Sequence, residues 1–239
     1  MSAFRLHNET GNVWTHLLGL PVFIALLVRE LMMPIDVPYY RVVAAGYMLA
    51  CIFMLASSTF FHLVREQSKL VYDRAVKVDL TGVVAVTVCS FLVGIRYGFY
   101  CTHNVAMAYL IIVSILGSTA IFWAWSPSLL ENLWLTIFFF ASFTAFSLVP
   151  LIHWIIIIGG AGSEQADVFL WKFLAMLSFY LMGFLAFSYS WPERMRPGRF
   201  DLVGHGHQIW HVGVLAGVLQ FYVAMRAYAT YWSTHECPV

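Results

Sequence analysis

Val105-Ala106-Met107-Ala108-Tyr109-Leu110-Ile111-Ile112-Val113-Ser114-Ile115-Leu116-Gly117-Ser118-Thr119-Ala120-Ile121-Phe122-Trp123-Ala124-Trp125 runs for 21 residues without one charged side chain. Wound as a helix, at about 1.5 Å per residue, it is long enough to cross a hydrocarbon core of about 30 Å. A helix satisfies its own backbone polar groups, which lipid cannot do, so this stretch predicts a transmembrane helix. Comparable apolar runs occupy 13–33, 42–63, 76–95, 132–158, 168–190 and 203–232, making seven spans in all. Polar breaks separate them at 34–38, 65–77, 96–104, 126–128, 159–167 and 192–201, and the break at Ser126-Pro127-Ser128 is the shortest. Composition agrees: 61% of the 239 residues are hydrophobic and 10% are charged, against about 25% charged in soluble domains. The expected fold is therefore an all-α integral membrane protein, a single seven-transmembrane helix bundle over residues 1–239.

Lysines and arginines orient the bundle, because they collect on the cytosolic side. With seven spans, the N-terminus and the second, fourth and sixth connections share one side. That side carries Arg5, Arg65, Lys69, Arg74, Lys77, Arg194, Arg196 and Arg199, eight cations against five on the other. A cytosolic N-terminus and an outside C-terminus follow as the expectation. This is the reverse of a G-protein-coupled receptor. No Asp-Arg-Tyr follows the third span and no Asn-Pro-x-x-Tyr lies in the seventh. The net charge of +1, with the basic residues scattered, argues against a nucleic-acid partner. No small-residue cleavage site follows the polar Arg5-Leu6-His7-Asn8-Glu9, so no cleavable signal peptide is expected.

Ionisable groups inside spans are expensive and usually functional. The second span ends in Ser57-Ser58-Thr59-Phe60-Phe61-His62, the third begins Val76-Lys77-Val78-Asp79, and the seventh begins Gly204-His205-Gly206-His207-Gln208-Ile209-Trp210-His211. The alternation of the spans brings His62, Asp79, His207 and His211 to one membrane depth near the cytosolic face. His207 and His211 are i and i+4, hence on one helical face with Cβ atoms about 5–6 Å apart. Ser58 stands in the same relation to His62, one turn deeper. Two imidazoles a turn apart plus a third from another helix make a three-histidine metal site with one position open, the arrangement that holds catalytic zinc. Asp79 would orient a histidine, or hold and deprotonate a water at the metal. The bland alternative is a set of buried histidines that hydrogen-bond one another and cap helix ends.

The remaining histidines read as structural. His153 follows Pro150 in the fifth span and suits a hydrogen bond at a kink. His16 sits one turn into the first span without a partner at helical spacing and reads as packing. His205 faces away from His207, while His7, His103 and His235 lie in polar segments. Asn8, Glu9 and Asn12 read as caps for the first helix, with lining of the cytosolic mouth as the alternative, and Arg194, Arg196 and Arg199 read as cations near anionic lipid heads. Cys51 and Cys89 fall in apolar runs as fillers. Cys101 and Cys237 lack any paired spacing and are not expected to form a disulfide.

Phe4-Arg5-Leu6-His7-Asn8-Glu9-Thr10-Gly11-Asn12-Val13-Trp14-Thr15-His16-Leu17-Leu18-Gly19 resembles the opening motif of the progestin and adipoQ receptor family, and within it the adiponectin receptors. The resemblance spans the chain. It continues through Ser58-x-x-x-His62, Asp79 seventeen residues later, Val149-Pro150, Pro192-Glu193-Arg194 with Pro197-Gly198, and His207-Gln208-Ile209-Trp210-His211. It implies a seven-helix bundle with an inside N-terminus. It also implies zinc held by His62, His207 and His211, Asp79 reaching the metal through a water, and Ser58 alongside. Adiponectin receptors carry a cytosolic region ahead of the motif, whereas this sequence starts almost at it.

The function that follows from residues and resemblance together links an extracellular signal to lipid metabolism through weak zinc-dependent amide hydrolysis of a ceramide-type lipid. The catalytic residues would be Asp79 and Ser58. Expected partners are membrane lipids, ceramide or a fatty acid among them, and an extracellular protein ligand. The alternative is a receptor or lipid-sensing protein in which zinc is purely structural. An ion or proton carrier is disfavoured because the charges gather at one end. The plasma membrane is preferred over internal membranes.

Overall fold

The computed structural model describes residues 5–126 and 132–237. Among them are helices α1 (Thr10–Met32), α2 (Tyr40–Val64), α3 (Lys69–Gly98), α4 (His103–Ala124), α5 (Leu133–Ala145), α6 (Leu148–Ile157), α7 (Glu164–Ser188) and α8 (Gly206–Thr234), and no strand. They make seven spans apolar and long enough to cross a membrane, since α5 and α6 share the fifth, Trp134–Ile157. The all-α seven-span expectation holds. Phe4, which opens the motif, and Pro127 and Ser128 of the shortest break lie outside the described residues.

Three of the differences from the hydropathy reading have a plain physical reason. α3 begins at Lys69 rather than 76: the Ser68 side chain accepts from Val71 N at 3.2 Å, and Lys69 pairs with Asp73 at 2.8 Å one turn on. The polar stretch is thus a capped helical extension, and hydropathy finds the membrane rather than the helix end. The fifth span breaks after Ala145 because the ring of Pro150 would clash with the carbonyl of Phe146 in a continuous helix. α8 starts at Gly206, so His205 is its N-cap position, and the Glu193 carboxylate accepts from Gly206 N at 2.7 Å.

α2 and α8 form the interior. Over the most apolar window of each, 56% and 50% of residues are buried, against 22% for α4 and 17% for the fifth span. α2 packs between α1 and α3, while α8 packs on α7, α1 and α3. Lipid offers little hydrophobic drive between helices, so close backbone approach matters. A Cβ on Gly213 would come within 2.8 Å of the Phe179 carbonyl oxygen, which is why α7 and α8 can lie so near each other. Gly82 does the same for α3 against α2, where a Cβ would meet Ser57 Oγ at 2.5 Å and Met54 Cα at 2.8 Å. Tyr47 on α2 donates to the Val218 carbonyl of α8 at 2.7 Å and ties the two interior helices at mid-depth.

At the end remote from His62, a disulfide joins Cys101, in the α3–α4 turn, to Cys237, with Cα atoms 5.5 Å apart. This corrects the expectation that they would not pair. Linear spacing carries no trace of a bond across 136 residues. Cys51 and Cys89 are free, as expected.

Candidate metal centre

α2 runs toward one end of the bundle and delivers His62 in its last turn, while α8 leaves that end and delivers His207 and His211 in its first turns. Each imidazole offers one ligand atom, and these three atoms lie within 4.8 Å of one another. His62 and His211 are buried and His207 is half-buried. The Nε2 atoms of His62 and His207 are 3.4 Å apart. Two nitrogens on one tetrahedral ion, each bonded at about 2.0–2.1 Å, sit roughly 3.3 Å apart. The helix ends have therefore set one pair at ligand separation.

His62 is further constrained from behind. Its Nδ1 lies 2.6 Å from Glu9 Oε2. An ionised carboxylate only accepts, so Nδ1 carries the hydrogen and a neutral ring turns a lone pair on Nε2 toward His207. Asn12 Nδ2 donates to the same Glu9 oxygen at 2.8 Å, and Arg65 pairs with Oε1 at 3.2 Å. Burial opposes ionisation of Glu9, yet the hydrogen bonds from His62 and Asn12 and the Arg65 charge bring its pKa down to about 2. A carboxylate behind a ligating histidine is the usual way a protein fixes ring tautomer and orientation at a metal. The histidines thus fit a divalent ion on donor chemistry, tautomer and separation.

This overturns the capping role read for Glu9. It occupies the N-cap position of α1 but makes no side-chain cap bond there, since its carboxylate is turned inward to His62. His16 is a packing residue, as read, and its ring stacks on that of His211 with centroids 4.1 Å apart. Among the described residues neither His16 ring nitrogen nor His211 Nδ1 has a hydrogen-bond partner. His205 does not join the metal group, and its Nε2 instead donates to the Asn8 carbonyl at 2.9 Å. His153 bonds Tyr109 of α4 at 3.0 Å instead of a backbone group at the kink.

Ser58 is buried one turn inside His62, close to the carboxylate of Asp79. Asp79 is half-buried and stands ten residues after Lys69, about 15 Å along α3. Gly82, one turn further on, lets α3 approach α2 closely enough for this pairing. The Asp79 carboxylate is not among the atoms of the metal group.

The family model described as haemolysin-III related matches residues 4–222, nearly the whole chain. The chain belongs to the haemolysin-III related family. It is 34% identical to heptahelical transmembrane protein 1 of Arabidopsis thaliana, over 98% of this chain and 73% of that protein. It is 33% identical to an adiponectin receptor protein of Drosophila melanogaster, over 100% of this chain and 54% of that protein. It is 27% identical to human progestin and adipoQ receptor family member 3, over 99% of this chain and 78% of that protein. The relationship read from the opening motif is thereby borne out. The chain spans little more than half the length of the Drosophila relative. Within this haemolysin-III related chain, sequence reasoning missed Glu9 as the group behind His62 and Gln208 as an anchor. Their only signal was a place inside quoted motifs beside the histidines.

Proposed function

We propose that the chain is a zinc-dependent lipid amidase acting on ceramide-type substrates. Its metal end would face the cytosol, and an extracellular protein ligand would regulate it. The carrying observation is the convergence of three imidazole ligand atoms within 4.8 Å, with the tautomer of one set by a carboxylate. His62, His207 and His211 would hold the ion. When bound, zinc would supply a Lewis acid that polarises an amide carbonyl and acidifies a water near neutral pH. The Asp79 carboxylate would take a proton from the attacking water as general base and pass it to the leaving amine nitrogen as the C–N bond breaks. The Ser58 hydroxyl, close to Asp79, would donate to the developing oxyanion.

Two observations support the orientation. The eight cations of the N-terminal side lie at the metal end, as cytosolic loops require. The Cys101–Cys237 disulfide lies at the opposite end, where an oxidising compartment would preserve it. The plasma membrane suits a chain related to receptors. The test is fatty-acid release from ceramide by purified protein. Asp79→Asn is expected to lower the rate by about 10²–10⁴-fold while zinc content is kept, and His207→Ala to abolish both. An unchanged rate in both variants would refute the amidase reading.

A second reading, a receptor with structural zinc, is favoured by the way the metal group joins α2 to α8 across 145 residues. A chelator that lowers the melting temperature of a protein releasing no fatty acid would select it, since structural zinc contributes several kcal/mol to folding.

A further inference from the structure

The residues ahead of α1 pass over the metal end of the bundle and are clipped there. The Asn8 carbonyl accepts from Gln208 Nε2 at 3.0 Å and from His205 Nε2 at 2.9 Å. Gln208 is itself held, its Nε2 donating to the Leu202 carbonyl at 3.0 Å and its Oε1 accepting from Gly204 N at 2.7 Å. Its amide is therefore saturated by backbone from two segments that meet only in the folded protein, and the side chain is buried. The next residue in the strap is Glu9, whose carboxylate reaches His62 at 2.6 Å. Neighbouring Cα atoms are about 3.8 Å apart, so a shift of Asn8 is carried almost undiminished to Glu9.

We propose that this N-terminal strap sets how tightly the three-histidine group holds its metal ion, with Glu9 as the positioning residue for His62 and Gln208 as the clip that keeps Glu9 in place. The inference rests on the metal-site reading above. The strap gives the segment preceding α1 a direct mechanical route to the metal group: displacing it withdraws the carboxylate that fixes the His62 tautomer and ring. Carboxylates in that position govern metal affinity by about 10–100-fold.

The experiment is a zinc titration against a competing chelator in detergent-purified protein, with the visible spectrum of the cobalt-substituted form as a second readout. Glu9→Gln removes the acceptor charge behind His62. Gln208→Glu is isosteric but turns a carboxylate oxygen toward the Asn8 and Leu202 carbonyls, and so releases the strap without touching Glu9. Gly11→Ala releases it from the other side, because its Cβ would lie 2.5 Å from Gln208 Cδ and 2.8 Å from Nε2; it carries the test if Gln208→Glu fails to fold. Each variant is expected to weaken zinc binding by about 10–100-fold and to alter the cobalt spectrum. The double variant Glu9→Gln/Gln208→Glu should bind no more weakly than Glu9→Gln alone, as for residues acting through one path. Additive losses, or wild-type affinity in both strap-releasing variants, would overturn the proposal while leaving the metal site standing. A wild-type protein that binds no zinc would remove the metal reading itself and the strap with it.

Discussion

Two buried polar clusters sit at opposite ends of the same three helices, and they differ in how their hydrogen-bonding capacity is used. At the far end Glu30, fully buried on α1, accepts from Tyr40 at 2.5 Å, from Tyr222, and from Arg226 at 2.5 Å. The ion pair is closed by groups from α1, α2 and α8, and Arg29 adds a bond to Tyr222 at 3.4 Å. At the metal end the same helices present imidazoles whose ligand atoms face one another, while His211 Nδ1 and both His16 nitrogens have no partner among the described residues. A cluster that spends its donors and acceptors internally holds the fold. A cluster whose ligand atoms converge could instead hold an ion.

That contrast can be broken at either end. The largest effect on stability is expected from Glu30→Gln, which leaves Arg226 facing a neutral amide. Breaking a buried pair costs about 3–5 kcal/mol, and thermal unfolding in detergent would read it beside an unchanged zinc content. A variant that kept its melting temperature but lost activity would make the far end a site and dissolve the distinction. Next comes Cys101→Ser, expected to destabilise by about 2–4 kcal/mol, again with metal retained. Loss of zinc in this variant would mean that the two ends are coupled. The smallest effect belongs to Lys69→Ala on the exposed extension of α3, where an i,i+4 pair contributes about 0.3–0.5 kcal/mol. A larger change would show that the extension is part of the metal end rather than a solvated cap.

The same contrast explains what could be read from the chain alone. The seven spans were legible because each run, such as 105–125, declares its environment locally. The histidine triad was legible because His207 and His211 share a helical face and alternation of the spans puts His62 at their depth. Glu9 was not. A carboxylate just ahead of an apolar helix reads as a cap, and its inward turn depends on His62, which is 53 residues away. Glu30 was hidden likewise, since a charge in the last turn of a span looks like its boundary until Tyr40, Tyr222 and Arg226 close around it. The disulfide escaped because its two cysteines are adjacent only after the bundle assembles. Hydropathy and helical period act within one element, while the groups that complete each cluster come from other elements.

The most direct test of an open, metal-holding end is elemental analysis of the detergent-purified wild type beside His207→Ala/His211→Ala. About one zinc per wild-type chain and almost none in the double variant is the expected result. No zinc in either would contradict it, and would leave three histidines that only pack the ends of α2 and α8.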